Sequence, residues 1–197
     1  MTRTLAARAV ALAAAAALVG CGSQDDPRVA ESADQDALSA TLMDADGQDS
    51  GTVEVAFDDD GAVLTISATG LEPGLHGLHV HKTGLCEPDS ADPTAPDKKG
   101  DFLSAGGHLA DEGQVHGDHD GDLPSLLVRA DGTARLVTAS DRLTRESVLD
   151  ADGSALMVHA DRDNFGNVPD RYAPMLDETT TKTGDAGARV ACAVLTE

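Results

Sequence analysis

Aromatic residues are nearly missing from this chain: three Phe, one Tyr and no Trp among 197 residues. A single domain of this length needs a core of ordinary size, so Val, Leu, Ile and Ala must build it. Positive charge is equally scarce. Fourteen Lys and Arg stand against 35 Asp and Glu, a formal net charge of -21, which excludes electrostatic attraction to nucleic acid or to an anionic membrane surface. Apolar runs are short; the one near the start, Ala9 to Val19, does not reach the length of a comfortable membrane span. Cysteine is limited to three residues, an odd number that stands out in an exported protein. No internal repeat or second domain is visible.

What is present begins with an export signal. Arg3 and Arg8 precede the apolar stretch, and Leu18-Val19-Gly20-Cys21 resembles a bacterial lipobox. That resemblance implies a lipoprotein signal peptide over 1–20, cleavage before Cys21, and lipid on its sulfur and new amino terminus. An ordinary secretory signal is the alternative, and either one exports the chain. Residues 22–36 are polar and lack periodicity, so 21–36 reads as a flexible tether. The expected domain is 37–197, extracytoplasmic and lipid-anchored to the bacterial cell membrane, with no membrane contact except through that lipid. Loss of Arg3 and Arg8 leaves the mature chain two charges more negative.

From Leu38 the pattern is of short apolar runs separated by turns. Strands are expected at 38–43, 52–57, 62–68, 75–82, 125–130, 134–139, 155–160 and 188–195. Asp60-Gly61 and Asp131-Gly132 fall between pairs of these runs, a hairpin signal. Only Leu143–Leu149 hints at helix. The pattern argues for an all-β fold, an eight-stranded antiparallel Greek-key sandwich or flattened barrel with two long functional loops. Those connections, 83–124 and 161–187, each follow a histidine-bearing strand. Asp-x-Asp-Gly at 44–47, 118–121 and 150–153 suggests calcium, but no copy has the remaining acids of a calcium loop, so turns are expected.

The chain has seven histidines, and they are patterned. In His76-Gly-Leu-His-Val-His81, an extended strand puts His79 and His81 on one face. His108, His116, His119 and Asp122 offer three imidazoles and a carboxylate, the donor set of a closed tetrahedral zinc site. His159 ends another strand; with His79 and His81 it forms a nitrogen-rich cluster suited to Cu(II).

The sequence resembles the copper/zinc superoxide dismutase family. The matching stretches are His76–His81, Gly106-Gly-His108, Gly121-Asp-Leu123, Val158-His159 and Thr183-Gly-Asp-Ala-Gly-Ala-Arg189-Val-Ala-Cys192, in family order. The resemblance implies copper on His79, His81, His108 and His159, and zinc on His108, His116, His119 and Asp122, with His108 bridging and also carrying a proton in catalysis. It makes Asp163 the carboxylate linking a copper-side and a zinc-side histidine, Arg189 the arginine beside the open copper position, and His76 structural. Lys182 and Thr183 are expected to guide the substrate, superoxide. Cys86 and Cys192 match the family's intrasubunit disulfide. A monomer or a homodimer is expected.

Two departures from the family pattern stand out. The gap in His116-Gly117-Asp118-His119 is shorter than is common, which leaves a copper-only dismutase as an alternative. The stretch from Glu87 to Asp101 is an insertion with Pro88, Pro93, Pro96, Lys98 and Lys99. A different class of reading is a surface protein that binds copper and zinc without turnover; the ligands suit it, whereas Arg189, Asp163 and the disulfide do not.

Overall fold

The structure, a computed structural model, describes residues 37–197. The signal peptide, Cys21 and the tether expected before them lie outside the described residues. Ten strands follow in chain order: β1 (Leu38–Asp44), β2 (Asp49–Asp58), β3 (Gly61–Ala68), β4 (Gly74–His81), β5 (Ser90–Asp92), β6 (Ala95–Gly100), β7 (Asp122–Val128), β8 (Ala134–Ser140), β9 (Ser154–His159) and β10 (Arg189–Leu195). Two short helices join them, α1 (Arg145–Val148) and α2 (Glu178–Thr183).

Eight strands close into an antiparallel barrel in the order β1-β10-β9-β4-β7-β8-β3-β2, and β5 and β6 form a separate hairpin. The connection from β3 to β4 passes β8 and β7, a Greek-key crossover. Alternation drives closure. Leu42, Val53, Val55, Leu64, Ile66, Leu78, Val80, Leu126, Leu156 and Val158 are fully buried in one core; burial of a side chain of this size stabilises by about 1.5–3 kcal/mol. The Asp-Gly hairpins form between β2 and β3 and between β7 and β8. Asp44 and Asp150 accept hydrogen bonds from backbone N–H groups within their own turns, so these Asp-x-Asp-Gly copies are turns, as expected.

β4 and β9 depart from the one-sided pattern. Val80 and Leu156 point into the barrel, whereas the opposite face carries His79, His81, Met157 and His159, and both faces are buried. The two long loops cover that outer face. The first carries the β5–β6 hairpin and packs Phe102 and Ala105 on Ala155, Met157 and Cys192. Cys86 in the same loop is disulfide-bonded to Cys192 of β10, across 106 residues. The second loop carries α2. A helix forms at Arg145–Val148, within the stretch that hinted at one, and Thr144 caps it.

Candidate metal centre

β4 and β9 pair antiparallel, so His79, His81 and His159 converge on one outer patch. His108 reaches them through a bridge between its own backbone and that of His81. The pairing register is shifted between His76 and Leu78, which places a bulge at Gly77. His76 consequently turns away. Its Nδ1 lies 2.7 Å from the His159 carbonyl and its Nε2 2.8 Å from the Glu72 carbonyl, so neither ring nitrogen faces the cluster.

Hydrogen bonds at the far side of each ring select the nitrogen left over. His81 donates from Nδ1 to the Gly106 carbonyl (2.9 Å), and His159 from Nδ1 to the Gly187 carbonyl (3.2 Å). His79 donates from Nε2 to Asp163 Oδ2 (2.5 Å), and His116 from Nε2 to Asp163 Oδ1 (2.6 Å). Asp163 thus fixes two rings at once, and Phe165 N–H holds its Oδ1 from behind at 2.7 Å. The nitrogens that remain are His79 Nδ1, His81 Nε2, His108 Nε2 and His159 Nε2.

Those four donors form one group whose atoms lie within 4.8 Å of one another, every residue of it buried. His79 Nδ1, His108 Nε2 and His116 Nδ1 are buried without any hydrogen-bond partner. The two Nε2 atoms of His81 and His159 face each other at 3.4 Å, although each ring has already given its Nδ1 proton to a carbonyl. Lone pairs turned together in a dry place are repulsive unless a cation lies between them. The residues therefore fit copper, for which nitrogen-rich sites are apt.

A second group lies next to it: donor atoms of His79, His108, His116 and Asp122 fall within 4.8 Å of one another, and His119, expected among the zinc ligands, stands at its edge, 3.2 Å from His108 Nδ1. Asp122, at the start of β7, has its Oδ1 at 2.8 Å from His108 Nδ1, 3.3 Å from His116 Nδ1 and 3.4 Å from His119 Nδ1. His108 contributes one nitrogen to each group. Three imidazoles and one carboxylate fit zinc. The short gap works because the other oxygen, Asp122 Oδ2, accepts the backbone N–H of Gly117 (2.7 Å) and of His119 (3.1 Å). One carboxylate folds the turn and faces the three rings.

Electrostatics favour the ligand form of the four copper-side rings. Burial, with the neighbouring histidines and Arg189, holds His81 and His159 well below the ordinary histidine value. Burial also lowers His79 and pulls His108 down to about 3, against the bonds that Asp163 and Asp122 offer. His116 differs: burial opposes its charge, but Asp122 and Asp163 outweigh burial and lift it to about 9. Burial would raise Asp122 and Asp163, yet their histidine partners hold both well below the usual carboxylate range.

A cavity of about 490 Å³ lies beside the copper-type quartet, and the buried rings of His81, His108 and His159 form part of its wall. Arg189, at the start of β10 and opposite His159 in the ladder, borders it. The guanidinium donates to the Phe102 carbonyl and to the Gly106 carbonyl, the latter at 2.5 Å. Burial lowers Arg189 to about 10, partly offset by Asp92, so it remains a cation at neutral pH. Thr183 lines the cavity as well. Lys182 does not: it lines a neighbouring cleft and its ammonium is held 2.6 Å from Glu178. Lys98 and Lys99 of β6 do line it, residues that the bare sequence placed in an insertion of no readable role. Their signal was charge alone, two adjacent lysines in a very acidic chain.

The comparisons with known proteins agree with this geometry. Residues 49–195 match the family described as copper/zinc superoxide dismutase. The chain belongs to that family. Superoxide dismutase [Cu-Zn] of Mycobacterium tuberculosis is 46% identical over 176 residues, covering 84% of this chain and 72% of that protein. Superoxide dismutase [Cu-Zn] 1 of Salmonella typhimurium is 35% identical, covering 92% and 94%. Among solved structures, the Cu/Zn superoxide dismutase of Brucella abortus matches with a TM-score of 0.62 at 27% identity, over 81% of this chain and 99% of that one. A SOD-like protein from Bacillus subtilis matches with a TM-score of 0.60 at 30% identity, over 80% and 97%. The barrel thus recurs in relatives named only as SOD-like, so the donor set and the cavity, not the fold alone, carry the functional reading within the copper/zinc superoxide dismutase family.

Proposed function

We propose that this chain is a superoxide dismutase whose copper is held by His79, His81, His108 and His159 and whose zinc is held by His108, His116, His119 and Asp122. Two superoxide anions and two protons become dioxygen and hydrogen peroxide. When bound, copper would supply the one-electron couple for the two halves of that reaction, and zinc would help to hold the His108 ring. The carrying observation is that three members of a four-nitrogen donor set, His81, His108 and His159, line one cavity together with a fixed guanidinium. A storage site has no use for the guanidinium.

The chain's own residues have separable tasks. Arg189 binds the anion by charge-assisted hydrogen bonds and is kept in place by the Phe102 and Gly106 carbonyls. Gly106 also anchors His81, so the anion site and one donor ring rest on a single carbonyl. His108 lines the cavity and its Nε2 has no hydrogen-bond partner, so it is the ring nitrogen positioned to hold a proton for the product. Asp163 orients His79 and His116, and His76 ties the His159 backbone to Glu72. Thr183, Lys98 and Lys99 shape and charge the approach, a task in which Lys182 is hindered by its pairing with Glu178.

Metal analysis of the purified domain beside a superoxide-removal assay tests this function. Copper near one per chain with activity is expected; copper at full occupancy without activity would sink the enzyme reading. Copper with activity and no zinc would sink only the zinc assignment.

For location, we infer an exported lipoprotein: residues 1–20 removed, Cys21 lipidated, 21–36 a tether. The lipobox-like stretch and the Cys86–Cys192 disulfide, which suits an oxidising compartment, support this. Mass spectrometry of the membrane-bound protein should find acyl chains on Cys21, and an unmodified amino-terminal peptide would refute it.

A further inference from the structure

We propose that Gly184 and Gly117 are positioning residues for the zinc side of the centre, where the lack of a side chain lets the second long loop close on His116. The inference rests on the ligand assignment above. Gly184 caps α2 in the left-handed region, with φ at 64°, and lies against the bond between Asp163 and His116. A Cβ there would stand 2.2 Å from His116 Nε2 and 2.3 Å from Asp163 Oδ1. Both atoms belong to one hydrogen bond of 2.6 Å, so a methyl group has to part the carboxylate from the ring or push both aside.

Gly117 meets the same seam from the other loop. Its φ is 94°, and a Cβ on it would stand 2.4 Å from the Phe165 carbonyl, a backbone atom with no side-chain freedom to yield. His116 N–H also donates to the Thr181 carbonyl within α2, at 2.9 Å. The compact turn between His116 and His119 is therefore held from both sides: Asp122 from within, and the α2 loop from outside. Asp163 reaches His79 through its other oxygen, Oδ2, which is not among the three atoms nearest a Cβ at Gly184. Substitution at Gly184 should accordingly loosen His116 and the zinc side while leaving the copper quartet in place.

Strain from the backbone alone needs a control, and the first loop contains one. Gly113 has a φ of 88°, and a Cβ on it meets nothing within 4 Å. The experiment loads wild type, Gly184→Ala, Gly117→Ala and Gly113→Ala with copper and zinc, then measures zinc affinity by chelator competition with copper bound. Disturbing the partners that orient a ligand costs roughly 10- to 100-fold in metal affinity. That loss is expected for Gly184→Ala and for Gly117→Ala, with copper content unchanged, and a change within about threefold for Gly113→Ala. Zinc affinity within about threefold of wild type in the first two variants overturns the proposal. So does an equal loss in Gly113→Ala, which assigns the effect to backbone strain, or a joint loss of copper and zinc in both seam variants, because the role is confined to the zinc side. A wild type that holds copper but takes up no zinc overturns the ligand assignment itself.

Discussion

Arg189 shows how much one residue's partners determine. Its guanidinium is fixed by two carbonyls, Phe102 and Gly106, and still faces the cavity. Arg189→Lys keeps a positive charge but cannot make both bonds and still present a donor to the anion. Losing one or two charge-assisted hydrogen bonds, about 1.5–3 kcal/mol, predicts a fall of roughly 10- to 100-fold in kcat/KM with copper content unaltered. Pulse-radiolysis rates on the loaded enzyme check it, and an unchanged rate would remove Arg189 from the mechanism. The histidines make a prediction for the metal-free protein. His81 and His159 lie well below 6.5 and His108 falls to about 3 because they are buried. Between those values the unfolded chain binds protons that the folded chain does not, so their stability is present above about 6.5 and is lost as pH falls. His116 works in the opposite direction: raised to about 9, it adds stability below 6.5 that is lost as pH rises through 9. Thermal unfolding of metal-free protein should show a Tm highest near pH 6.5 and falling faster on the acid side; a flat acid limb would contradict the burial of these rings. Residue identities at the centre were legible in the sequence through spacing and family likeness. Which nitrogen each ring offers was not, because distant carbonyls at Gly106 and Gly187, and Asp163, decide it.

At the scale of elements, the barrel strands were legible because alternating burial leaves alternating residue types, and Asp-Gly marks the turns between them. The β5–β6 hairpin was not, since Ala95–Gly100 has no apolar alternation and is exposed along nearly its whole length. α2 was equally hidden. Its Thr-rich sequence has weak helix propensity, and the helix depends on Asp177 accepting the Thr180 N–H at 2.9 Å and on the turn at Gly184. Their anchors are distant in sequence: Phe102 and Ala105, just past the hairpin, pack on Ala155 and Met157 of β9, and the Thr181 carbonyl of α2 accepts the His116 N–H, so no local pattern encodes either element. The Cys86–Cys192 bond joins the first of these loops to β10, near Phe102 and Met157. With a sequence separation of 106 between the cysteines, Cys86→Ser with Cys192→Ser should lower stability by roughly 3–5 kcal/mol. It should also lower activity, because the Phe102 and Gly106 carbonyls that hold Arg189 lie in the loop so released. Urea unfolding and assay of the double variant report the two effects separately. A stable variant with unchanged activity would show that Phe102 packing suffices to hold the loop.

For the whole molecule, the problem is an anionic substrate approaching a chain of net charge -21. Distant acids repel superoxide, but at physiological ionic strength screening acts over about 8 Å, so charges at the cavity dominate the last steps of approach. Arg189, Lys98 and Lys99 line that cavity, with Asp101 the one acid among its lining residues. Neither lysine forms an ion pair with another described residue, whereas Lys182 is paired to Glu178. Local attraction and global repulsion are both weakened by salt and have opposite signs. The wild-type kcat/KM should therefore change only modestly between low and high ionic strength. Replacing Lys98 and Lys99 by Glu removes the attractive part and leaves the repulsion, so the variant should be several-fold slower at low salt and recover as salt is added. A steep fall of the wild-type rate with salt would mean that attraction dominates the field of the whole molecule. A double variant that matches wild type at every salt concentration would place the capture of the anion on Arg189 alone and leave the hairpin lysines without a part in it.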